Sequence, residues 1–478
     1  MRKVKIVVTI GPSTDDRKTI KKLIQKGVNV FRLNFSHATH EYHQDVYNKI
    51  RQASKELGKE VAILQDISGP KVRISHLEKP IKLKYKDILT LSKETFEPEN
   101  KVITLSYPQI IDSLKVGKLI YFADGTIRAK IVQKNDDNVK CEILVPEDLH
   151  SKKGVNFPNS ELNLQAITKK DIDDLQFGAK LGVDIVALSF VSDAKDILLA
   201  KEILQEENAN PFVFAKIEKQ EAVTNIKKIL EVADGIMVAR GDMGVELGVQ
   251  KVPVIQKKII ALANKMGKLT ITATQMLTSM INSPYPTRAE ISDIANAVLD
   301  ESDAVMLSDE TTVGKYPLKA VKVLHQSIME AQTLYPYYKK SKNIDTKDSI
   351  AAAVTILAKS MNPDALISFS KTGRSAMSLA SFRPKQKILV NSYDISILRK
   401  LQIVWGIDSI VLLEKSDDEE KLLKQFLQKA IEEKYISISK KYIVTIGSYL
   451  ISNNKTNDIK VLDKDTISYI LKYNFKTR

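Results

Sequence analysis

The sequence predicts an α/β fold of three parts: a (β/α)₈ barrel, an all-β domain inserted into it as a lid, and a C-terminal α/β domain. Three observations support this prediction: eight short apolar runs separated mostly by amphipathic stretches, a long β-branched interval after the third run, and new strand and helix patterns near the C-terminus. The expected boundaries are 1–70 and 167–340 for the barrel, 71–166 for the inserted domain and 345–478 for the C-terminal domain.

Composition limits the class of protein. A chain of 478 residues is too long for one core, and 43% apolar with 27% charged residues is typical of soluble globular proteins. The net charge of +15 comes from lysines scattered along the chain, which favours a solvated surface over a nucleic-acid or membrane interface. The single cysteine, Cys141, excludes an internal disulfide and a multi-cysteine metal site. With no signal-peptide layout, we expect a cytoplasmic protein.

The eight apolar runs end in polar or glycine-rich turns, and they lie at residues 4–12, 28–36, 61–69, 183–190, 212–218, 234–242, 269–275 and 302–310. Stretches such as DDRKTIKKLIQKG, with apolar residues at three- and four-residue spacing, separate most of them. Near-continuous apolar strands that alternate with amphipathic helices are typical of a parallel sheet covered by helices. Eight units predict a closed barrel, with an open doubly wound sheet as the alternative.

The long interval after the third run has a different pattern. Its β-branched segments, 101–105, 118–132 and 138–145, include the hairpin-type turn ADGT. An insertion at the C-terminal rim of a barrel lies over the mouth, so we expect a mobile lid. Beyond residue 335, strand patterns within 364–447 predict the separate C-terminal domain.

Polar residues at the C-terminal ends of the runs are the candidates for chemistry, because barrel active sites lie there. Two runs end in polar residues at two-residue spacing, which places them on one face of a strand: Arg32, Asn34 and Ser36, and Lys216 with Glu218. The other runs contribute Asp66, Asp242, Thr274, Gln275, Ser308 and Glu310.

Glu218 and Asp242 beside Lys216 are a suitable set for Mg²⁺ or Mn²⁺, with a structural salt bridge at the rim as the alternative. ARGDMG leads into the amphipathic stretch 249–267, so the amides of Gly241 and Asp242 are expected at a helix start that receives an anion. A metal, a lysine and an anion site together suit phosphoryl transfer or a metal-stabilised enolate.

The motifs resemble those of pyruvate kinases in order and spacing along the whole chain: KIVVTIGP, VFRLNFSH, SKKGVNFPN, FAKIE, DGIMVARGDMGVELG, TATQML and PTRAEISDIANAVLD. The resemblance implies the barrel, lid and C-terminal domain, usually a homotetramer. It also implies the reaction of phosphoenolpyruvate with ADP to give pyruvate and ATP, the last step of glycolysis.

The resemblance assigns a role to each site residue. Glu218 and Asp242 would hold the metal, Lys216 and Arg32 would contact the phosphoryl group, and the amides of Gly241 and Asp242 would bind the substrate carboxylate. Thr274 would relay a proton to carbon after transfer. The nucleotide residues would be Asn34, His37, Arg73, Lys170 and, in the lid, Asp124. A histidine such as His37 is often an ordinary rim residue.

Four positions depart from the family pattern: Ile67, Ser68 and Lys71 after Asp66, and Asp309. Lys71 stands where K⁺-dependent members have glutamate, beside a pocket matching Asn34, Ser36, Asp66 and Ile67. We therefore predict that the Lys71 ammonium replaces K⁺ and that K⁺ is not required, with a solvated turn lysine as the alternative. Asp309 stands where glycine is usual, which is costly if the position needs a positive φ.

The C-terminal domain contains a hydroxyl-rich loop, SKTGRS, formed by Ser370, Lys371, Thr372, Gly373, Arg374 and Ser375. It resembles the family's sugar-phosphate effector loop, although an ordinary strand-to-helix turn is equally compatible. The later segment 447–460 lacks the glycine-rich loop that often completes that site.

Two other functions remain open from the sequence. A Mg²⁺-enolate lyase or aldolase would use the barrel and metal without the lid or a nucleotide site. A catalytically inactive relative that binds nucleic acid would show salt-dependent binding and no turnover, and the catalytic set argues against it.

Overall fold

The structure is a computed structural model that describes residues 1–158, 160, 162, 164–339, 346–416, 418–446 and 458–472, without the side chains of residues 346, 347 and 409. The chain forms two compact units. The first contains Met1–Gln65, Lys180–Val186 and Ile260–Arg478, and the second contains Asp66–Ala179 and Ala187–Ile259. The expected domain boundaries therefore remain predictions, because these units follow a different division.

The N-terminal segment alternates strand and helix, in the order β1 (Lys5–Thr9), α1 (Arg17–Gln25), β2 (Val30–Asn34), α2 (His40–Leu57) and β3 (Ala62–Ile67). Local signals begin and end the helices. The side chains of Asp16 and Thr39 cap the first amides of α1 and α2, and Gly58 ends α2 in the left-handed region at φ 59°.

The insertion is built mainly of strands: β4 (Ile81–Lys82), β5 (Ile88–Ser92), β6 (Val102–Thr104), β7 (Leu119–Phe122), β8 (Ile127–Lys134), β9 (Asn138–Val145), β10 (Asp148–Leu149) and β11 (Val155–Asn156), with one short helix, α3 (Ile110–Ser113). Its six-stranded sheet has the order β11-β7-β8-β9-β5-β6, and β10 pairs with β4. Leu91, Ile120 and Ile131 belong to a hydrophobic core within this domain.

Five further strands complete the barrel: β12 (Ile185–Leu188), β13 (Phe212–Ile217), β14 (Gly235–Ala239), β15 (Leu269–Ala273) and β16 (Ala304–Leu307). The helices of this part are α4 (Lys169–Leu181), α5 (Ala194–Glu206), α6 (Gln220–Thr224), α7 (Ile226–Val232), α8 (Arg240–Leu247), α9 (Val252–Lys265), α10 (Arg288–Leu299), α11 (Asp309–Thr312) and α12 (Pro317–Ala331). The barrel is closed in the order β1-β16-β15-β14-β13-β12-β3-β2, which confirms the predicted barrel over the open sheet.

The pattern of apolar residues in each strand matches which of its faces are buried. Every residue of β1, β14 and β15 is buried, as expected for strands covered by helices. In β8, by contrast, Ile127, Ala129 and Ile131 are buried while the residues between them are exposed, so the strand alternates.

The C-terminal domain contains β17 (Ala365–Phe369), β18 (Lys387–Ser392), β19 (Ile407–Leu412), β20 (Tyr442–Ile446) and β21 (Asp458–Leu462), with helices α13 (Thr346–Met361), α14 (Arg374–Ser381), α15 (Ile395–Lys400), α16 (Glu419–Glu432) and α17 (Lys464–Lys472). The sheet order is β19-β18-β17-β20-β21, with β21 antiparallel to β20. The four parallel strands were predicted, whereas β21 was not. Of the described helices, none combines the length and apolar character that crossing a bilayer requires.

Candidate active site

Lys216, near the C-terminal end of β13, is the centre of a buried group in the second unit. Its Nζ lies 3.0 Å from Oε1 of Glu218 and 3.2 Å from Oδ1 of Asp66, and it donates to Oγ of Ser189 at 2.5 Å. The lysine side chain is 11% exposed and each carboxylate side chain 1%. We call Asp66, Ser189, Lys216 and Glu218 the lysine–carboxylate cluster.

The strand geometry explains why two of these residues meet. In extended backbone Lys216 and Glu218 lie on one face, while the fully buried Ile217 faces the other way. Burying one ammonium between two carboxylates offsets part of the desolvation cost of all three charges.

Both oxygens of Glu218 have partners. Oε1 contacts Lys216, and Oε2 accepts from the amide of Phe190 at 2.8 Å. Burial raises the pKa of Glu218 above its ordinary value, against the attraction of Lys216, and the nearby charge of Asp242 raises it further. Glu218 and Asp242 are therefore close enough to interact electrostatically.

Asp242 lies in the first turn of α8, and this corrects one expectation. ARGDMG was expected to open the long helix that follows, but Gly241 and Asp242 open the separate eight-residue α8. Gly248 ends α8 at φ 94°, and α9 starts only at Val252. The two amides still lie at a helix start, where the helix dipole favours an anion.

The acids fit a divalent metal with few protein ligands. Among the described residues, no group of three or more His, Cys, Asp or Glu side chains is arranged to hold a metal ion. The predicted donors are Glu218 and Asp242, whose mutual repulsion contributes to the raised pKa of Glu218. A hard cation that takes two carboxylate oxygens and completes its shell with water and substrate suits this set.

The loop after β3 is held firmly. The amide of Gly69 donates to Oδ1 of the buried Asp171 at 3.0 Å, and Gly69 has φ 66°. A Cβ on Gly69 would lie 2.9 Å from the Phe190 ring, so only glycine fits. The Lys71 side chain extends to Gly154 of the insertion, where Cε would lie 3.3 Å from an added Cβ.

Predicted residues in the first unit have their own contacts. Arg32 is buried and donates to Oγ1 of Thr9 at 3.0 Å, and Oδ1 of Asn34 accepts from the amide of Ser36 at 3.2 Å. Thr274 has φ 64°, in the left-handed region that is strained for a β-branched residue. Such strain is common at functional sites.

Glu310, also a candidate from its strand end, binds the amides of two loops. It is buried, and its oxygens accept from the amides of Leu277 and Ser308 at 2.8 Å each. These bonds connect the segments that follow β15 and β16.

Two family models match the chain: the pyruvate kinase barrel domain over residues 1–321 and the pyruvate kinase alpha/beta domain over residues 348–462. The chain belongs to the pyruvate kinase family. Pyruvate kinase 2 of Synechocystis sp. is 42% identical over 421 residues, which cover 86% of this chain and 71% of that protein. Pyruvate kinase of Staphylococcus aureus is 40% identical over 471 residues, with coverage of 96% and 80%.

A solved structure agrees with this assignment. The crystal structure of a pyruvate kinase from Cryptosporidium parvum matches with a TM-score of 0.90 and 35% identity, over 97% of this chain and 96% of that one. The chain is accordingly a phosphotransferase of the pyruvate kinase type, acting between phosphoenolpyruvate and ADP.

The residues predicted to bind nucleotide by resemblance to pyruvate kinases lie in both units. In the second unit, Arg73 donates to the carbonyl of Lys152 at 3.1 Å, and Lys170 pairs with Asp174 at 2.6 Å. Asp124 has φ 55° in the turn between β7 and β8. In the first unit His37 is exposed, and its carbonyl lies 2.9 Å from Nε2 of His43.

Asp309, at a position usually occupied by glycine in pyruvate kinases, shows no sign of backbone strain. It is the first residue of α11 and is not among the described residues with positive φ. The cost expected for an aspartate with a positive φ therefore does not apply to Asp309.

The loop that resembles the pyruvate kinase effector loop connects β17 to α14. Oγ of Ser375 donates to Oγ of Ser370 at 3.0 Å, and Gly373 caps α14 at φ 84°. A Cβ on Gly373 would lie 3.2 Å from Leu401, so glycine suits this turn. Residues 447–457, expected to lack the glycine-rich effector segment, lie outside the described residues.

Sequence reasoning missed three contributors. Ser189 stood visibly at the end of the fourth run, and its position there was the available signal. The amide of Phe190 and the buried Asp171 carried no signal, because their contacts join distant segments.

Proposed function

We propose that this pyruvate kinase is a Mg²⁺-dependent enzyme that needs no K⁺, with the roles below. The observation that carries the proposal is the lysine–carboxylate cluster, in which Lys216 lies 3.0 Å from Glu218 with Asp242 close by. A buried cation next to a metal-binding pair is what transfer of a phosphoryl group requires.

Lys216 stabilises negative charge on the phosphoryl group during transfer, since its ammonium is already oriented by Asp66 and Ser189. Glu218 and Asp242 hold Mg²⁺ or Mn²⁺. When bound, the ion would act as a Lewis acid toward the substrate oxygens. The raised pKa of Glu218 indicates a carboxylate that gains from a nearby cation.

The substrate contacts follow from the residues at the strand and helix ends. The amides of Gly241 and Asp242 at the start of α8 bind the phosphoenolpyruvate carboxylate. Arg32, oriented by Thr9, contacts the phosphoryl group. The Thr274 hydroxyl relays a proton to the enolate carbon, and the strained backbone holds it in place.

ADP is bound by Asn34, His37, Arg73 and Lys170, and Asp124 of the inserted lid closes over it. The pairing of Lys170 with Asp174, which is 1% exposed, orients one of these cations in advance.

Lys71 takes the place of K⁺. A second cation within a few ångströms of the ammonium would cost about 4 kcal/mol at an effective dielectric near 20. In the structure the Lys71 stem packs on Gly154, whose added Cβ would also lie 4.0 Å from Oδ1 of Asp124. In this proposal the Lys71 ammonium supplies the positive charge that the residues matching the K⁺ pocket, Asn34, Ser36, Asp66 and Ile67, would otherwise take from solution.

The K⁺ proposal is tested by activity in buffers whose only monovalent cation is tetramethylammonium. The unsubstituted enzyme should be active there and gain little from KCl, while Lys71→Glu should become dependent on K⁺. Lys79→Glu, which changes an exposed lysine of the insertion, is the matched control. Strong activation of the unsubstituted enzyme by K⁺ would contradict the proposal.

The reaction itself is tested by following pyruvate formation from phosphoenolpyruvate with several nucleoside diphosphates, with and without Mg²⁺. Turnover should require both a diphosphate and the metal. Conversion of phosphoenolpyruvate without any diphosphate would instead favour a lyase, and salt-sensitive binding of nucleic acid without turnover would favour the inactive relative.

A sugar phosphate at Ser370–Ser375, a homotetramer and a cytoplasmic location complete the proposal. Effector binding should lower the phosphoenolpyruvate concentration for half-maximal rate, and Arg374→Ala should abolish this response while Lys385→Ala retains it. No response to a panel of phosphorylated sugars would remove the effector from the proposal.

A further inference from the structure

The inserted domain lies beside the end of α8 at two neighbouring residues, Val245 and Glu246, all within the second unit. Nδ2 of Asn156, at the end of β11, donates to Oε1 of Glu246 at 2.8 Å. A Cβ on Gly125, in the turn after β7, would lie 4.0 Å from Cγ1 of Val245, which is van der Waals contact. One part of the insertion therefore bonds to the last turn of α8, and a second part lies beside it.

Glu246 is not an ordinary surface acid. Burial raises its pKa, opposed by the hydrogen bond from Asn156 and the charge of Lys219, while Glu221 and Asp242 add to the rise. A carboxylate withdrawn from water depends on its remaining donors, and a hydrogen bond to a charged acceptor is about twice as strong as a neutral one. The hydrogen bond from Asn156 therefore satisfies a carboxylate oxygen that burial has withdrawn from water.

The other end of α8 carries the candidate anion and metal residues Gly241 and Asp242. A helix of this length moves as a rigid body, since each turn is bonded to the next. We propose that the hydrogen bond between Asn156 and Glu246 is a latch that holds the inserted domain on α8 and positions Gly241 and Asp242. Asn156 and Glu246 are then positioning residues, and their effect on turnover rests on the proposed function.

A second asparagine–glutamate pair in the insertion provides a matched control. Nδ2 of Asn100 donates to Oε2 of Glu97 at 3.0 Å, but both residues are exposed and three positions apart. Asn100→Ala removes the same type of hydrogen bond, from an amide to a carboxylate, at an exposed local contact. Only Asn156→Ala should release the insertion.

The latch is measured directly with spin labels at Lys130→Cys in the insertion and Lys258→Cys in α9, both exposed positions. Cys141 is buried and its pKa is raised to about 12, so it stays unlabelled. The distance distribution should broaden toward longer distances in Asn156→Ala and stay unchanged in Asn100→Ala. An unchanged distribution in Asn156→Ala would overturn the latch.

Exchange of the two residues tests the link to catalysis. Asn156→Ala should lower kcat/KM for phosphoenolpyruvate about tenfold while the protein stays folded. Asn156→Glu should lower kcat/KM further, because it places two carboxylates opposite each other. The double variant Asn156→Glu/Glu246→Asn should recover most of the lost kcat/KM. A double variant as impaired as Asn156→Glu would overturn the positioning role. Absent turnover in the unsubstituted protein would reject the proposed function, while the distance measurement would still decide the latch.

Discussion

Buried lysines occur in two regions of the molecule with opposite surroundings. Lys216 lies between the carboxylates of Asp66 and Glu218. Lys3 and Lys5, at the start of β1 in the first unit, are each 3% exposed and donate to backbone carbonyls of the C-terminal domain, Lys3 to Gln386 at 2.5 Å and Lys5 to Ile407. We call Lys3 and Lys5 the N-terminal lysine pair.

The pair shows what burial does without close carboxylates. Burial lowers the pKa of Lys3 and of Lys5 to about 7, and the attraction of Asp408 does not offset it. In the lysine–carboxylate cluster, two acids offset the cost of burying an ammonium. The contrast indicates that the lysine–carboxylate cluster stabilises a charged ammonium. The surroundings of the N-terminal lysine pair instead favour the neutral amine.

Removing the charge from the cluster should have the largest effect. Lys216→Met should lower the rate of pyruvate formation by roughly 10³-fold or more, because it removes electrostatic stabilisation of the transferring group. Metal-dependent exchange of pyruvate methyl protons should persist. Lys201→Met, which breaks a partly exposed pair with Asp234, is the control. Loss of both activities together would show that Lys216 is structural.

A buried cation in a third region sharpens the comparison. Nη1 of Arg383 lies 2.6 Å from Oδ1 of Asp303, both about 4% exposed or less. Asp303→Asn leaves a permanently charged guanidinium without its carboxylate and should lower the free energy of unfolding by about 3–5 kcal/mol. Urea denaturation measures this change. A loss below 1 kcal/mol would mean that a carboxylate is not needed there.

A substitution in the N-terminal lysine pair should change the free energy of unfolding in the opposite direction. Lys5→Met removes a buried amine that lacks a close carboxylate, so at pH 6 it should raise the free energy of unfolding by about 1–3 kcal/mol. Denaturation at equal protein concentration provides the measurement, with the exposed Lys385→Met as control. Marked destabilisation would show that the bond to the carbonyl of Ile407 outweighs the burial cost.

The N-terminal lysine pair should also make stability depend on pH. Between pH 7 and 10 the pair is largely neutral when folded and protonated when unfolded, so unfolding takes up protons and stability rises with pH. The slope should be at most about 1.4 kcal/mol per pH unit for each lysine. Lys3→Met/Lys5→Met should flatten it. A slope unchanged by the double substitution would place the titrating groups elsewhere.

Much of the fold was predictable because its signals are local. Strands buried on both faces appear as continuous apolar runs, and the alternating residues of β8 show one solvated face. Short elements without such patterns were missed, and β21 is the example: only its last residue, Leu462, is buried.

By itself the sequence determined the eight-run rhythm, the inserted strands and the placement of Lys216 and Glu218 on one face, since each depends on residues two to four positions apart. Only the tertiary structure decided that Asp66 and Ser189 reach Lys216, that α8 is separate from α9 and that Asn156 bonds Glu246. It also decided that Lys3 and Lys5, which lie next to and within the first apolar run, are buried. The physical reason is that burial and pairing depend on which distant segments pack together, and local sequence periodicity does not indicate which segments these are.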